Sequence, residues 1–204
     1  MTLHDPCRAA LPALQVLELP GWQGSGPGHW QSRWEALHGD HRVAQSDWMR
    51  PLRGDWMMRL DEVVADLEAA APPGQPPQVA LVAHSLGCQL VAAWAAHSRR
   101  TACIRAALLV APPDVERDEF RATLHSFSPI VRRPLPFPAL AVISTDDAFC
   151  SPERAQAMAA DWGCATLAAG ARGHLNADSG LGDWPEGRQL LADLLQAPAP
   201  GRKK

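Results

Sequence analysis

The residue with the clearest chemical promise is Ser85, in the run Val82-Ala83-His84-Ser85-Leu86-Gly87-Cys88. A serine with small residues two positions to either side fits the G-x-S-x-G pattern, a sharp strand-to-helix turn that lifts the hydroxyl above a sheet. Gly87 meets the requirement, whereas Ala83 stands where the pattern has its first glycine and adds one methyl group. At a helix N-terminus, free N–H groups and the positive dipole end favour a developing negative charge, so the N–H of Leu86 becomes one candidate oxyanion donor. The plain alternative is that Ser85 only caps the helix after it.

A serine hydroxyl is a poor nucleophile without a base, and the base needs an orienting carboxylate. Behind a turn of this kind the chain order is serine, then Asp or Glu, then His. The segment Leu140-Ala141-Val142-Ile143-Ser144-Thr145-Asp146-Asp147 ends an apolar run in two aspartates, and spacing alone leaves the choice between Asp146 and Asp147 open. Further on, Gly170-Ala171-Arg172-Gly173-His174-Leu175-Asn176 carries the only histidine after His125. The second oxyanion donor is expected from the Gly-rich loop Pro20 to Trp30, with the N–H of Trp22 as the candidate and with Gly21 and His29 assigned to substrate.

Other constellations carry less. His38 and His41 have no third ligand at metal spacing and read as a surface turn. There is no phosphate loop and no dinucleotide pattern, so no cofactor and no metal is expected. Cys88 and Cys150 lack a positioned base for a cysteine enzyme. Trp30 and Trp34, one helical turn apart, read as core. His84 is expected to pack or hydrogen-bond locally, since a neighbour on a sharp turn points away from the serine.

These side chains need elements to hold them. Leu14–Leu19, a short stretch near Val43, Val79–Ala83, Ala106–Val110, Leu140–Ser144 and Ala165–Leu167 read as strands. Helical spacing spans Trp30–Leu37, Trp56–Ala70, Leu86–Ala96, Pro152–Trp162 and Trp184–Leu195. The continuous apolar runs mark strands buried on both faces, and alternation with helices implies a parallel sheet of about six strands covered on both sides. Chemistry in such sheets sits beyond the carboxyl ends of the strands.

A chain of 204 residues, 47% hydrophobic and 20% charged, suits one domain, 1–204, with its core at about 14–195 and flexible tails at 1–12 and 197–204. The net charge of −3 and the lack of a basic face argue against nucleic acid as a partner. No apolar run reaches the roughly 20 residues of a membrane span, and the N-terminus lacks a signal-peptide layout, so no membrane and a cytoplasmic location are expected. Five cysteines without a C-x-x-C pair argue against a disulfide framework and read as small buried hydrophobes.

Taken together, Pro20-Gly21-Trp22 with His29-Trp30, Ala83-His84-Ser85-Leu86-Gly87, Ser144-Thr145-Asp146-Asp147 and Gly173-His174 resemble the small serine hydrolases related to retinoblastoma-binding protein nine. The resemblance runs from about Leu14 to Leu195. It implies a minimal α/β-hydrolase fold without a cap domain, with Ser85 as nucleophile and His174 as base, and it favours Asp147 as the third member. The family pattern often has proline after the aspartates, where this chain has Ala148-Phe149. The expected function is hydrolysis of a small-molecule acyl or ester substrate through an acyl-enzyme, with thioesters or short peptides as variants. A homodimer is compatible with this reading. The rival is a protein-interaction module that keeps the fold and little catalysis.

Overall fold

A computed structural model describes residues 14–197. The expected tails fall outside the described residues, apart from Ala197. Six strands form one sheet: β1 (Leu14–Leu19), β2 (His41–Arg42), β3 (Gln78–His84), β4 (Ile104–Val110), β5 (Ala139–Ile143) and β6 (Ala165–Ala168). Their spatial order is β2-β1-β3-β4-β5-β6, and every neighbouring pair is parallel. Parallel neighbours require crossovers, and except between β4 and β5 the longer helices supply them: α1 (Trp30–His38), α2 (Arg53–Ala70), α3 (Leu86–Ala95) and α5 (Pro152–Asp161), with α6 (Pro185–Gln196) after the last strand. The architecture is the expected minimal α/β-hydrolase arrangement, with no cap domain among the described residues.

The apolar run of β3 serves both faces, as a strand buried on two sides must. Val79, Leu81 and Ala83 enter the cluster that holds Trp56, Leu60 and Trp94 of α2 and α3. Ala80 and Val82, one residue out of phase, pack with Trp30, Trp34 and Trp184 on the other face. β4 repeats the alternation, with Ala107 and Leu109 on the first face and Leu108 and Val110 on the second. Trp30 and Trp34 are core, as their spacing suggested, with ring centroids 4.9 Å apart.

Boundaries move by a few residues. α2 begins at Arg53 rather than Trp56, because its first turn is polar and apolar periodicity cannot detect it. The second strand is only His41–Arg42, one step before Val43. No element was expected between β4 and β5. There, short 3-10 turns at Asp118–Phe120 and His125–Phe127 flank a single helical turn, α4 (Arg121–Leu124), too short to show a period. No helix among the described residues is long and apolar enough to cross a membrane.

The chain leaves β1 towards β2 on one side and later places β3 on the other. This reversal of direction opens a crevice at the carboxyl ends of β1 and β3. The loop after β1 and Ser85, immediately after β3, meet there.

Candidate active site

Ser85 occupies a backbone conformation that an L-residue rarely adopts, φ 54° and ψ −124°. Such strain persists only where the surroundings enforce it. The enforcement comes from the strand on one side, where Ser85 N–H donates to the Val110 carbonyl at 2.9 Å, and from the helix on the other, where Cys88 N–H donates to the Ser85 carbonyl at 2.8 Å. The turn also demands clearance. A Cβ on Gly87 would lie 2.1 Å from the Leu19 carbonyl oxygen, so α3 can cross the end of β1 only with glycine at that position. Ala83 is fully buried in the core behind the turn, and its methyl is accommodated. Ser85 makes no cap bond to α3, so the plain helix-cap reading does not describe it.

Its hydroxyl turns to His174, with Ser85 Oγ and His174 Nε2 at 2.8 Å. On the far side of the ring, Nδ1 lies 2.9 Å from both carboxylate oxygens of Asp147. A carboxylate can only accept, so the proton sits on Nδ1 and Nε2 presents a lone pair to the hydroxyl. Asp147 and His174 have side chains 4% and 9% exposed, which excludes most of the water that would weaken the pair. The Phe149 ring lies 4.2 Å from the His174 ring, centroid to centroid.

The two aspartates divide the work. Asp146 Oδ1 accepts from Ser144 Oγ at 2.8 Å and from Gly173 N–H at 2.7 Å. These bonds hold its carboxyl below the usual carboxylate range. Asp146 thus ties the end of β5 to the histidine loop, while Asp147 faces the imidazole.

The N–H groups of Trp22 and Leu86 have no hydrogen-bond partner among the described residues. Both residues line a cavity of about 230 Å³ together with Ser85, Pro113, Leu124 and Phe149. Gly21 is not part of that wall. A Cβ there would stand 2.6 Å from Ser85 Cβ, so the glycine gives the nucleophile room. His29 does line the cavity. Its Nδ1 accepts from Gln31 N–H at 3.2 Å as the cap of α1, which leaves the ring proton on Nε2, an atom with no partner among the described residues. Burial, then the charges of Arg42 and His174, lower its pKa to about 4. A larger hollow of about 610 Å³ between α2 and α3 contains none of these groups.

His84 departs from expectation. Its bond is not local, because Nε2 lies 2.8 Å from the carbonyl oxygen of His174, 90 positions away. Adjacency along the chain fixes where a side chain starts, not which loop folds over it. Trp30 was expected only as core, yet its Nε1–H also donates to the Leu175 carbonyl at 2.8 Å. No sequence signal marked either bond.

A family model described as serine hydrolase matches residues 16–193. Among solved structures, the chain is similar to a YdeN-like hydrolase from Pectobacterium atrosepticum, at 27% identity and a TM-score of 0.75, over 90% of this chain and 91% of that one. The ydeN gene product of B. subtilis matches at 17% identity and a TM-score of 0.66, over 91% and 100%. Thermogutta terrifontis esterase 2 matches at 18% identity and a TM-score of 0.64, over 90% and 82%. Those last two similarities speak for the fold. No match was found among curated proteins.

Proposed function

The chain belongs to the serine hydrolase family, and from that premise we propose that Ser85, His174 and Asp147 form its catalytic triad and act on small carboxylic esters. The observation that carries the reading is the unbroken relay from Asp147 through both ring nitrogens of His174 to Ser85 Oγ. The steps follow from the chemistry of those groups. His174 Nε2 takes the hydroxyl proton as Ser85 attacks the carbonyl carbon, and Asp147 stabilises the imidazolium that forms. The N–H groups of Trp22 and Leu86 receive the oxyanion; one such donor is worth about 10²–10³ in rate. His174 then protonates the leaving alcohol, and the same cycle with water releases the acid and restores the serine.

The size of the cavity supports a short acyl group. A volume of about 230 Å³ is small beside the roughly 300–1,000 Å³ of common ligand pockets. Trp22, Leu86, Leu124 and Phe149 make its wall largely apolar, and His29 closes one side as an uncharged ring. One solved form of the Thermogutta esterase holds butyrate, which makes a butyryl ester the natural first substrate to try. The four described cysteines are free thiols, which suits a reducing compartment such as the cytoplasm.

The test is labelling with a fluorophosphonate probe alongside turnover of p-nitrophenyl butyrate. The wild type should be labelled and active, and Ser85→Ala should lose both. Labelling that survives in Ser85→Ala, or a wild type that neither labels nor turns over, would sink the reading; the latter result is what an interaction module predicts.

A further inference from the structure

The loop that carries His174 is under backbone tension. Gly173 and Leu175, on either side of the base, both have positive φ, 55° and 49°. For leucine this is an unfavourable conformation that persists only where the surroundings hold it. A relaxed loop would carry the imidazole away from Ser85, so something must fix the main chain at this point. Two side chains from the first half of the protein reach it. Trp30 Nε1–H donates to the carbonyl of Leu175, and the His84 ring meets the carbonyl of His174 itself.

The chemistry of the second contact is determined. A carbonyl oxygen only accepts, so His84 must carry its proton on Nε2. His84 is 5% exposed, and its ring centroid lies 4.9 Å from that of His174 and 4.6 Å from that of His29. Burial first, then the neighbouring His174 and His29, hold its pKa well below the ordinary imidazole value. It therefore stays uncharged, and it adds no repulsion when His174 becomes an imidazolium during the reaction.

We propose that His84 is a positioning residue for the catalytic base: its Nε2–H, bonded to the His174 carbonyl, holds the loop at the place where His174 Nε2 meets Ser85 Oγ. The residue that precedes the nucleophile thereby sets the register of the base against it. This inference rests on the triad reading given above. Its logic is that of preorganisation, since a displacement of about 1 Å at a reacting group can cost about 10²-fold in rate.

Methionine and glutamine have matched length, and only glutamine offers a donor near the position of imidazole Nε2. His84→Met should lower kcat about 10- to 100-fold and slow fluorophosphonate labelling in parallel, with little change in KM. His84→Gln should recover kcat to within about threefold of wild type. Equal kcat in the two variants, whether both intact or both impaired, would overturn the proposal. An independent check needs no variant. Nitrogen-15 imidazole spectra of the wild type should show His84 as the Nε2–H tautomer at neutral pH; the Nδ1–H tautomer, which cannot donate to the His174 carbonyl, would also overturn it. Wild-type protein that resists the fluorophosphonate would instead defeat the triad reading, and the tautomer measurement would still stand by itself.

Discussion

His174 Nε2 lies 2.8 Å from Ser85 Oγ although 89 positions separate the two residues. Each arrives by a different route. The serine is raised by the turn between β3 and α3, and the histidine hangs in a loop fixed by Ser144, Asp146, Trp30 and His84. The pair is therefore sensitive to changes that never touch the substrate.

The two aspartates should separate cleanly. Asp147→Asn removes the carboxylate that fixes the imidazole tautomer and should lower kcat by about 10³–10⁴ with little effect on KM. Asp146→Asn leaves the charge facing the ring intact and weakens only the ties to Ser144 and Gly173, so its loss should be far smaller. Steady-state kinetics on a short acyl ester decide the point. Equal losses would mean that the loop, and not the charge on Asp147, governs the base.

Gly21→Ala and Gly87→Ala should fail in different ways. The new methyl at 87 meets main chain, the Leu19 carbonyl, which cannot swing aside. We expect loss of about 1–3 kcal/mol or more of stability, read as a lower urea midpoint. At 21 the clash is with Ser85 Cβ, so the main casualty should be kcat and the fluorophosphonate labelling rate. A Gly21→Ala enzyme with unaltered kcat would show that the serine has room to spare.

Glu18 predicts a loss of stability as pH rises. It sits in β1 fully buried, and neither carboxylate oxygen has a hydrogen-bond partner among the described residues. Burial, followed by the charge of Asp40 and, more weakly, Glu35, raises its pKa well above the ordinary carboxylate value. The nearby Arg188 is committed to Asp40. Above the ordinary pKa the unfolded chain has released this proton while the folded chain keeps it. Stability is therefore fully present below that pH and falls towards the raised value, with a slope of at most about 1.4 kcal/mol per pH unit. Glu18→Gln should flatten that slope, as measured by urea unfolding across pH 5–8. An unchanged slope would exclude Glu18 as its source.

His29 works in the opposite sense. Its pKa is lowered to about 4 from the ordinary imidazole value of about 6.5, so between those values the unfolded state binds a proton that the folded state refuses. Stability should fall as pH drops through this window, by on the order of 3 kcal/mol in total. His29→Asn can still cap α1 and should remove the acid sensitivity. Comparison of the two proteins by urea unfolding from pH 7 to pH 4 tests this, and parallel curves would refute it.

Much of this molecule was written along the chain, because some requirements are local. A strand buried on both faces needs an unbroken apolar run, and Val79–Ala83 shows one. A sharp turn into a helix needs a small residue where backbones cross, and Gly87 supplies it. The order of serine, aspartate and histidine across separate strand ends was likewise readable, since each belongs to its own segment. What the tertiary structure decided are the relations between segments. Spacing left Asp146 and Asp147 equivalent; only the direction of the loop around Gly173 gave one carboxylate to the main chain and the other to the imidazole. The contacts of His84 and Trp30 with the histidine loop leave no trace in composition or period, because a hydrogen bond across 90 or 145 positions exists only once the sheet has brought both ends together.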